Sequence, residues 1–134
     1  MKARWTVPIG PVDMDLAAGA LRAIAARVER LDPSAATTAF MKEDRGGRVF
    51  VDATRVGGST VVSVYSPRLR PGVPVSFPLS WDALDDVVPA ELTIARVPAL
   101  LGGRDPWAEA MPAPQVLPSV LVEEGRAIPV ARVA

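Results

Sequence analysis

The sequence predicts an α+β fold, with a mixed, largely antiparallel sheet packed on one side by a single long helix. Three observations lead there. Residues 14–31 carry an apolar stripe at helical spacing, β-prone runs at 36–41 and 48–53 flank Gly46-Gly47, and hydrophobic residues make up 49% of the 134. That share excludes a disordered chain, and the length suffices for one domain with a real core.

Taken in order, Arg4-Trp5-Thr6-Val7-Pro8-Ile9 reads as a short strand that turns at Gly10-Pro11. Asp13 then caps the helix. Leu16, Ala20, Ile24 and Val28, with Leu21, Ala25 and Leu31 beside them, form the stripe; Arg22, Arg27, Glu29 and Arg30 lie opposite, and Pro33 ends the helix. The strand at 48–53 pairs with one at 61–65 through a hairpin turn at Gly57-Gly58. A proline-rich connection over 67–78 leads to Ser80, an N-cap for a short helix. Residues 91–97 read as a strand and 98–111 as a helical segment containing Gly102-Gly103. The expected domain covers 1–111. Residues 112–134, rich in proline and without a clear period, read as a poorly ordered tail.

Fifteen basic and fifteen acidic residues cancel, so no global field favours nucleic acid. The distribution is uneven: between Lys42 and Arg70, six cations (Lys42, Arg45, Arg48, Arg55, Arg68, Arg70) stand against three acids (Glu43, Asp44, Asp52). Cysteine and histidine are both absent, which excludes disulfides, thiolate metal sites and the commonest general base. A triad hydrolase or a zinc enzyme is excluded on the same ground. No apolar run approaches the ~20 residues of a membrane span, and the start carries no signal-peptide pattern, so a cytoplasmic address is expected.

The chemistry concentrates in Lys42-Glu-Asp-Arg-Gly-Gly-Arg-Val-Phe-Val-Asp52 and Tyr65-Ser-Pro-Arg68-Leu-Arg70. Asp52 ends an apolar strand between cations, where a carboxylate meets solvent on a rigid support; that suits a hard metal ion carrying phosphates. The same acid equally suits an ion pair with Arg48, Arg55 or Arg68. Arg68 and Arg70, at i and i+2, project to one side of an extended chain. Asp13 and Asp15 form an Asp-x-Asp pair, but on a first helical turn they diverge by about 200° and complement the helix dipole. Asp85 and Asp86 read as a solvated helix face, and Trp81 and Trp107 as packing residues.

Gly46-Gly-Arg-Val-Phe-Val-Asp52, Tyr65-Ser-Pro-Arg68-Leu-Arg70-Pro-Gly, Pro78-Leu-Ser-Trp81-Asp-Ala-Leu and Asp105-Pro-Trp107-Ala resemble, in that order, the C-terminal half of the polymerase domain of bacterial DNA ligase D. That domain belongs to the archaeo-eukaryotic primase superfamily. The resemblance runs from about residue 4 to 111. It implies half of a primase-polymerase catalytic domain, which adds nucleotides at DNA ends in double-strand-break repair by non-homologous end joining with manganese or magnesium. By position, Asp52 matches a metal-binding and catalytic aspartate. Arg68 and Arg70 match arginines that hold the incoming triphosphate, and Lys42 and Arg48 fall in a basic segment along the nucleotide or DNA path. The family's Asp-x-Asp metal pair and Ser-x-x-His-like motif have no counterpart here.

Two divalent ions ~4 Å apart need about three acids to offset their charge, so one aspartate does not clamp them. The expected function is therefore a fragment or split subunit of a DNA-repair primase-polymerase, inactive alone. DNA ends and nucleoside triphosphates would be its ligands, and an N-terminal half-domain or a ligase subunit its partner. The alternatives are a non-catalytic nucleic-acid or nucleotide-binding module and a degenerate gene remnant.

Overall fold

The computed structural model describes residues 6–56 and 62–130. The predicted turn at Gly57-Gly58, the first residues of the strand expected at 4–9, and Val61 lie outside them. The chain divides into two compact units: Ile9–Thr60 with Pro114–Ala134, and Met1–Pro8 with Val61–Ala113.

The first unit is built on α1, Met14–Leu31, which begins where the sequence places it. Asp13 caps it, accepting the Asp15 amide N–H at 2.8 Å. At the other end the Asp32 carboxylate accepts the Ser34 and Ala35 amides and the Ser34 hydroxyl, turning the chain through Pro33. The buried face is not the large-residue stripe. Gly19, Ala20, Ala23 and Ala25 are buried, whereas Ile24 and Leu31 are 39% and 84% exposed. Small side chains win because another backbone comes very close to this face.

That backbone belongs to α4, Ser119–Ala127, which packs along α1. The expectation of a poorly ordered tail over 112–134 therefore fails for the described part of that segment. Gly10 N–H donates to Gln115 O at 2.9 Å, Arg22 Nη2 to Gly125 O at 3.2 Å, and Arg27 binds the Glu124 carboxylate through two bonds of 2.9 and 2.7 Å. The helix docks by a glycine and a charged pair, neither of which a hydrophobic period registers.

After α1 come β1, Ala36–Thr37, and β2, Val49–Phe50, paired in parallel. Val49 N–H donates to Ala35 O at 2.8 Å and Val51 N–H to Thr37 O at 2.9 Å. Residues 38–48 supply the crossover that a parallel pair requires, where a tight hairpin would have forced the antiparallel arrangement. Within that crossover the 3₁₀ turn Glu43–Arg45 ends on Gly46 and Gly47, both at positive φ. Glu29 ties the strand to the helix, accepting the Thr37 and Thr38 hydroxyls at 3.1 and 2.6 Å.

The second unit contains antiparallel contacts, but only as isolated bridges, Pro67 to Val75 and Pro74 to Thr93. The architecture is α+β; the one two-stranded ladder among the described residues is parallel, and the antiparallel pairing expected of the sheet is found there only as those bridges. The strand expected at 61–65 is also replaced. Ser66 N–H donates to Ser63 O at 3.3 Å, closing a turn, and Tyr65 takes φ 61°, outside any strand. Ser80 precedes a 3₁₀ turn, Trp81–Ala83, without a side-chain capping bond, and Trp81 is 69% exposed. The segment read as a strand at 91–97 instead completes the 3₁₀ turn Pro89–Glu91, bridges at Thr93 and enters α2, Val97–Leu101. Gly102 and Gly103, at φ 56° and 80°, stop α2, and α3, Pro106–Ala110, restarts behind Asp105. In this unit Val75 is the one buried hydrophobic side chain among the described residues.

Candidate functional site

Arg68 and Arg70 stand at the tip of a hairpin held by its own backbone. Tyr65 N–H donates to Ser76 O at 2.7 Å, Ser76 N–H to Ser66 O at 3.0 Å, and Arg68 N–H to Pro74 O at 2.8 Å. The tip closes with Arg70 N–H on Arg68 O and Val73 N–H on Arg70 O, each 2.8 Å. Pro71 and Gly72, the latter at φ 79°, occupy the two central positions of that last turn, as its geometry demands. A further strand segment braces the outgoing arm, with Val75 N–H on Leu92 O at 2.7 Å and Ile94 N–H on Val73 O at 3.0 Å.

Two non-glycine residues of this hairpin, Tyr65 and Val73, lie in the left-handed region at φ 61° and 45°. For a β-branched residue such as Val73 that conformation is costly, and it persists only where the surroundings impose it. Strain of this kind concentrates at ligand-holding loops. Leu69 between the arginines is fully exposed.

The arginines divide into two groups. Arg22, Arg27, Arg45, Arg48, Arg55, Arg96 and Arg104 each donate to an oxygen of the chain; for Arg104 this is the Glu109 carboxylate. Arg30, Arg68, Arg70 and Arg126 are exposed and have no such partner among the described residues; of these, Arg68 and Arg70 stand two residues apart on one turn. Their donors are held on a rigid support and remain available, an arrangement matched to the oxygens of an anionic ligand.

Asp52 lies in the other unit, two residues past β2. Its Oδ1 accepts the Thr54 amide at 2.9 Å and the Thr54 hydroxyl at 2.6 Å, and its Oδ2 accepts Arg55 Nε at 3.1 Å. Burial acts to raise the carboxyl, but the Thr54 bonds and the Arg55 guanidinium outweigh it and hold it below the usual carboxylate range. Of the three ion-pair partners open in the sequence, Arg55 is the one found. No group of three or more acids that could hold a metal ion forms among the described residues, so these residues do not by themselves fit a two-cation site. Asp13 and Asp15 begin α1, as their spacing implies.

The basic segment in this unit is largely turned to internal use. Arg45 donates to Ala39 O and Phe40 O at 3.1 and 2.6 Å and sits over the Phe50 ring, 3.9 Å from its centroid. Arg48 spends Nε and Nη2 on Arg45 O and Asp44 O at 2.8 and 2.9 Å. Lys42 is exposed.

Several carboxylates are held down. Glu29 is lowered by the Thr38 hydroxyl, Glu124 by the Arg27 guanidinium and Asp105 by the Tyr65 hydroxyl. Groups depressed on folding contribute stability above their unfolded pKa and lose it as pH falls through the folded value. Thermal unfolding is therefore expected to hold steady from pH 7 to 5 and to drop below about pH 4. A midpoint that stays level or rises on acidification to pH 2 would contradict this assignment.

The fold and the hairpin together define a class: an α+β module with two exposed arginines, unpaired among the described residues, on a backbone-bonded turn. Residues 6–107 match the family described as LigD, primase-polymerase domain, and the chain belongs to that family. It is 34% identical over 93 residues to the multifunctional non-homologous end joining protein LigD of Pseudomonas aeruginosa, covering 66% of this chain and 11% of that protein. To LigD of Mycobacterium bovis and of Mycobacterium tuberculosis it is 36% identical over 75 residues, 55% of this chain and 10% of each relative. The chain thus spans about a tenth of the length of the curated relatives it matches. Among the described residues no helix is long and apolar enough to cross a membrane.

Proposed function

We propose that this chain is the arginine-bearing part of a DNA-repair primase-polymerase, acting on nucleoside triphosphates and DNA ends and inactive until completed. The observation that carries the reading is the hairpin: two neighbouring guanidinium groups, without partners among the described residues, on a strained tip closed by backbone hydrogen bonds. Arg68 and Arg70 bind triphosphate oxygens through their forked donors. Lys42 and the remaining N–H groups of Arg48 border the nucleotide or DNA path. Asp52 serves as one metal-binding and catalytic acid for manganese or magnesium. The further acids come from an N-terminal half-domain, whether part of the same polypeptide or a separate one, or from a ligase subunit.

Co-expression with an Asp-x-Asp-bearing half-domain, followed by primer extension with manganese, tests this. Extension is expected in the assembled complex and is lost in Asp52→Ala. Absence of extension in every assembled complex, or full activity in Asp52→Ala, would defeat the proposal.

A second reading draws on the Asp52–Arg55 pair, which leaves the carboxylate structurally employed. Under it the chain is a non-catalytic phosphate-binding module. Nucleotide binding would then need no metal, whereas binding that depends absolutely on manganese or magnesium favours the first reading.

A further inference from the structure

Tyr65 and Asp105 are forty residues apart, and neither is an arginine or a metal candidate, yet they join the hairpin to α3. The Tyr65 hydroxyl donates to Asp105 Oδ1 at 2.6 Å and accepts the Trp107 amide N–H at 3.3 Å. The same Oδ1 caps α3, accepting the Trp107 and Ala108 amides at 3.1 and 3.2 Å. One oxygen thus starts a helix and grips the hairpin. The Tyr65 ring meets Phe77 edge-on, centroids 6.1 Å apart, so both arms of the hairpin base are engaged. Tyr65 also keeps φ 61°, a conformation that a tyrosine holds only when its surroundings impose it.

We infer that Tyr65 and Asp105 form a phenol–carboxylate latch that positions the Arg68–Arg70 tip for its anionic ligand. The inference rests on the phosphate-binding reading above and adds the residues that set the tip's geometry. Tyr65 N–H and the Ser76 amide anchor the base of the hairpin. Releasing the phenol frees the left-handed Tyr65 to relax, and the arginines three and five residues on lose their fixed direction. A guanidinium fork that must find its ligand from a broader set of orientations binds more weakly, because ordering it then costs entropy.

The test uses the whole chain and a fluorescent ATP analogue as probe. Tyr65→Phe removes the hydroxyl and keeps the ring against Phe77. Binding is expected to weaken about three- to tenfold. Combined with Arg68→Ala, the two losses fall short of adding, since a positioning residue has less to do once its target is gone. Asp105→Ala should lose as much as Tyr65→Phe, while Asp105→Asn, which keeps an oxygen acceptor, binds close to the parent. Tyr65 is the chain's one tyrosine, so its ultraviolet titration reads the latch directly. Burial, then the Asp105 carboxylate, with Glu109 adding a smaller push, raises the phenol above its ordinary value, and Asp105→Asn should bring it down. Parent-like binding by Tyr65→Phe, or losses that add fully with Arg68→Ala, would overturn the latch. Intact binding in Arg68→Ala/Arg70→Ala would instead defeat the phosphate-binding reading beneath it.

Discussion

Replacing Gly125 with alanine is expected to unseat α4 from α1 and to be the most destabilising glycine-to-alanine change among the described residues. A Cβ at that position would lie 1.9 Å from Gly19 O, 2.2 Å from Gly19 C and 2.8 Å from Gly19 Cα. All three are backbone atoms inside a helix and have nowhere to go. Overpacking of a tight contact costs ~1–3 kcal/mol, and here the displaced helix also drops the Arg22–Gly125 bond and the Arg27–Glu124 pair. Against the ~5–15 kcal/mol that holds a small domain, this is a large share. A fall in unfolding midpoint of about 10 °C or more follows. Alanine's better helix propensity works in the opposite direction, by ~1 kcal/mol, and loses.

Gly19→Ala is the internal control. Its added Cβ meets nothing closer than Arg22 Nη2 at 3.7 Å and Gly125 C at 3.8 Å, which is ordinary contact. Two glycines facing each other across one interface should therefore differ sharply: Gly19→Ala neutral or stabilising, Gly125→Ala disruptive. Hydrogen exchange over 119–127 supplies the second readout. Unchanged protection there in Gly125→Ala would mean that α4 does not sit where the structure puts it.

The second large effect is on binding. Arg68→Ala/Arg70→Ala should reduce nucleoside triphosphate affinity by about a hundredfold or more, at ~1.5–3 kcal/mol for each charged hydrogen-bonding group. Stability should barely move, because both side chains are exposed and unpaired, and such changes stay within ~0.5 kcal/mol. That combination, binding lost and unfolding unchanged, is what separates a ligand-facing arginine from a structural one. The Arg68→Lys/Arg70→Lys variant keeps both charges but loses the planar forks, and should fall between. Affinity within twofold of the parent in the alanine variant would remove the arginines from the site. The same experiment on Arg45 predicts the reverse pattern, since Arg45 braces the 38–48 crossover against Phe50 and not a ligand.

Much of this arrangement was legible in the residues. The α1 boundary, the Asp13 cap and the role of Asp15 follow from local spacing, because capping and dipole effects act within one turn. Arg68 and Arg70 were read as lying on an extended chain, and the structure instead turns the chain there, with Pro71-Gly72 at the centre of the last turn. Three further features were not legible. The ladder of Ala36 and Thr37 with Val49 and Phe50 is parallel because of how the 38–48 crossover packs, with Arg45 and Arg48 folded back on its carbonyls. Helix α4 has no apolar period to announce it. The Tyr65–Asp105 latch joins residues forty positions apart, and the one sequence signal for half of it is Asp105 ahead of Pro106, a helix-start pattern.

Helix start, turn chemistry and the exclusion of thiol and imidazole chemistry are properties of neighbouring residues or of composition, and the amino-acid order alone determined them. Which arginines serve the fold and which stay open to a ligand was decided only by tertiary structure. Arg45, Arg48, Arg68 and Arg70 are chemically the same residue, and each is preceded or followed by a turn. What separates them is whether a carbonyl or carboxylate oxygen comes within reach once the chain has folded. For Arg45 and Arg48 those oxygens are only three to six residues back, and it is the folded path of the 38–48 crossover that turns the carbonyls toward the guanidinium groups.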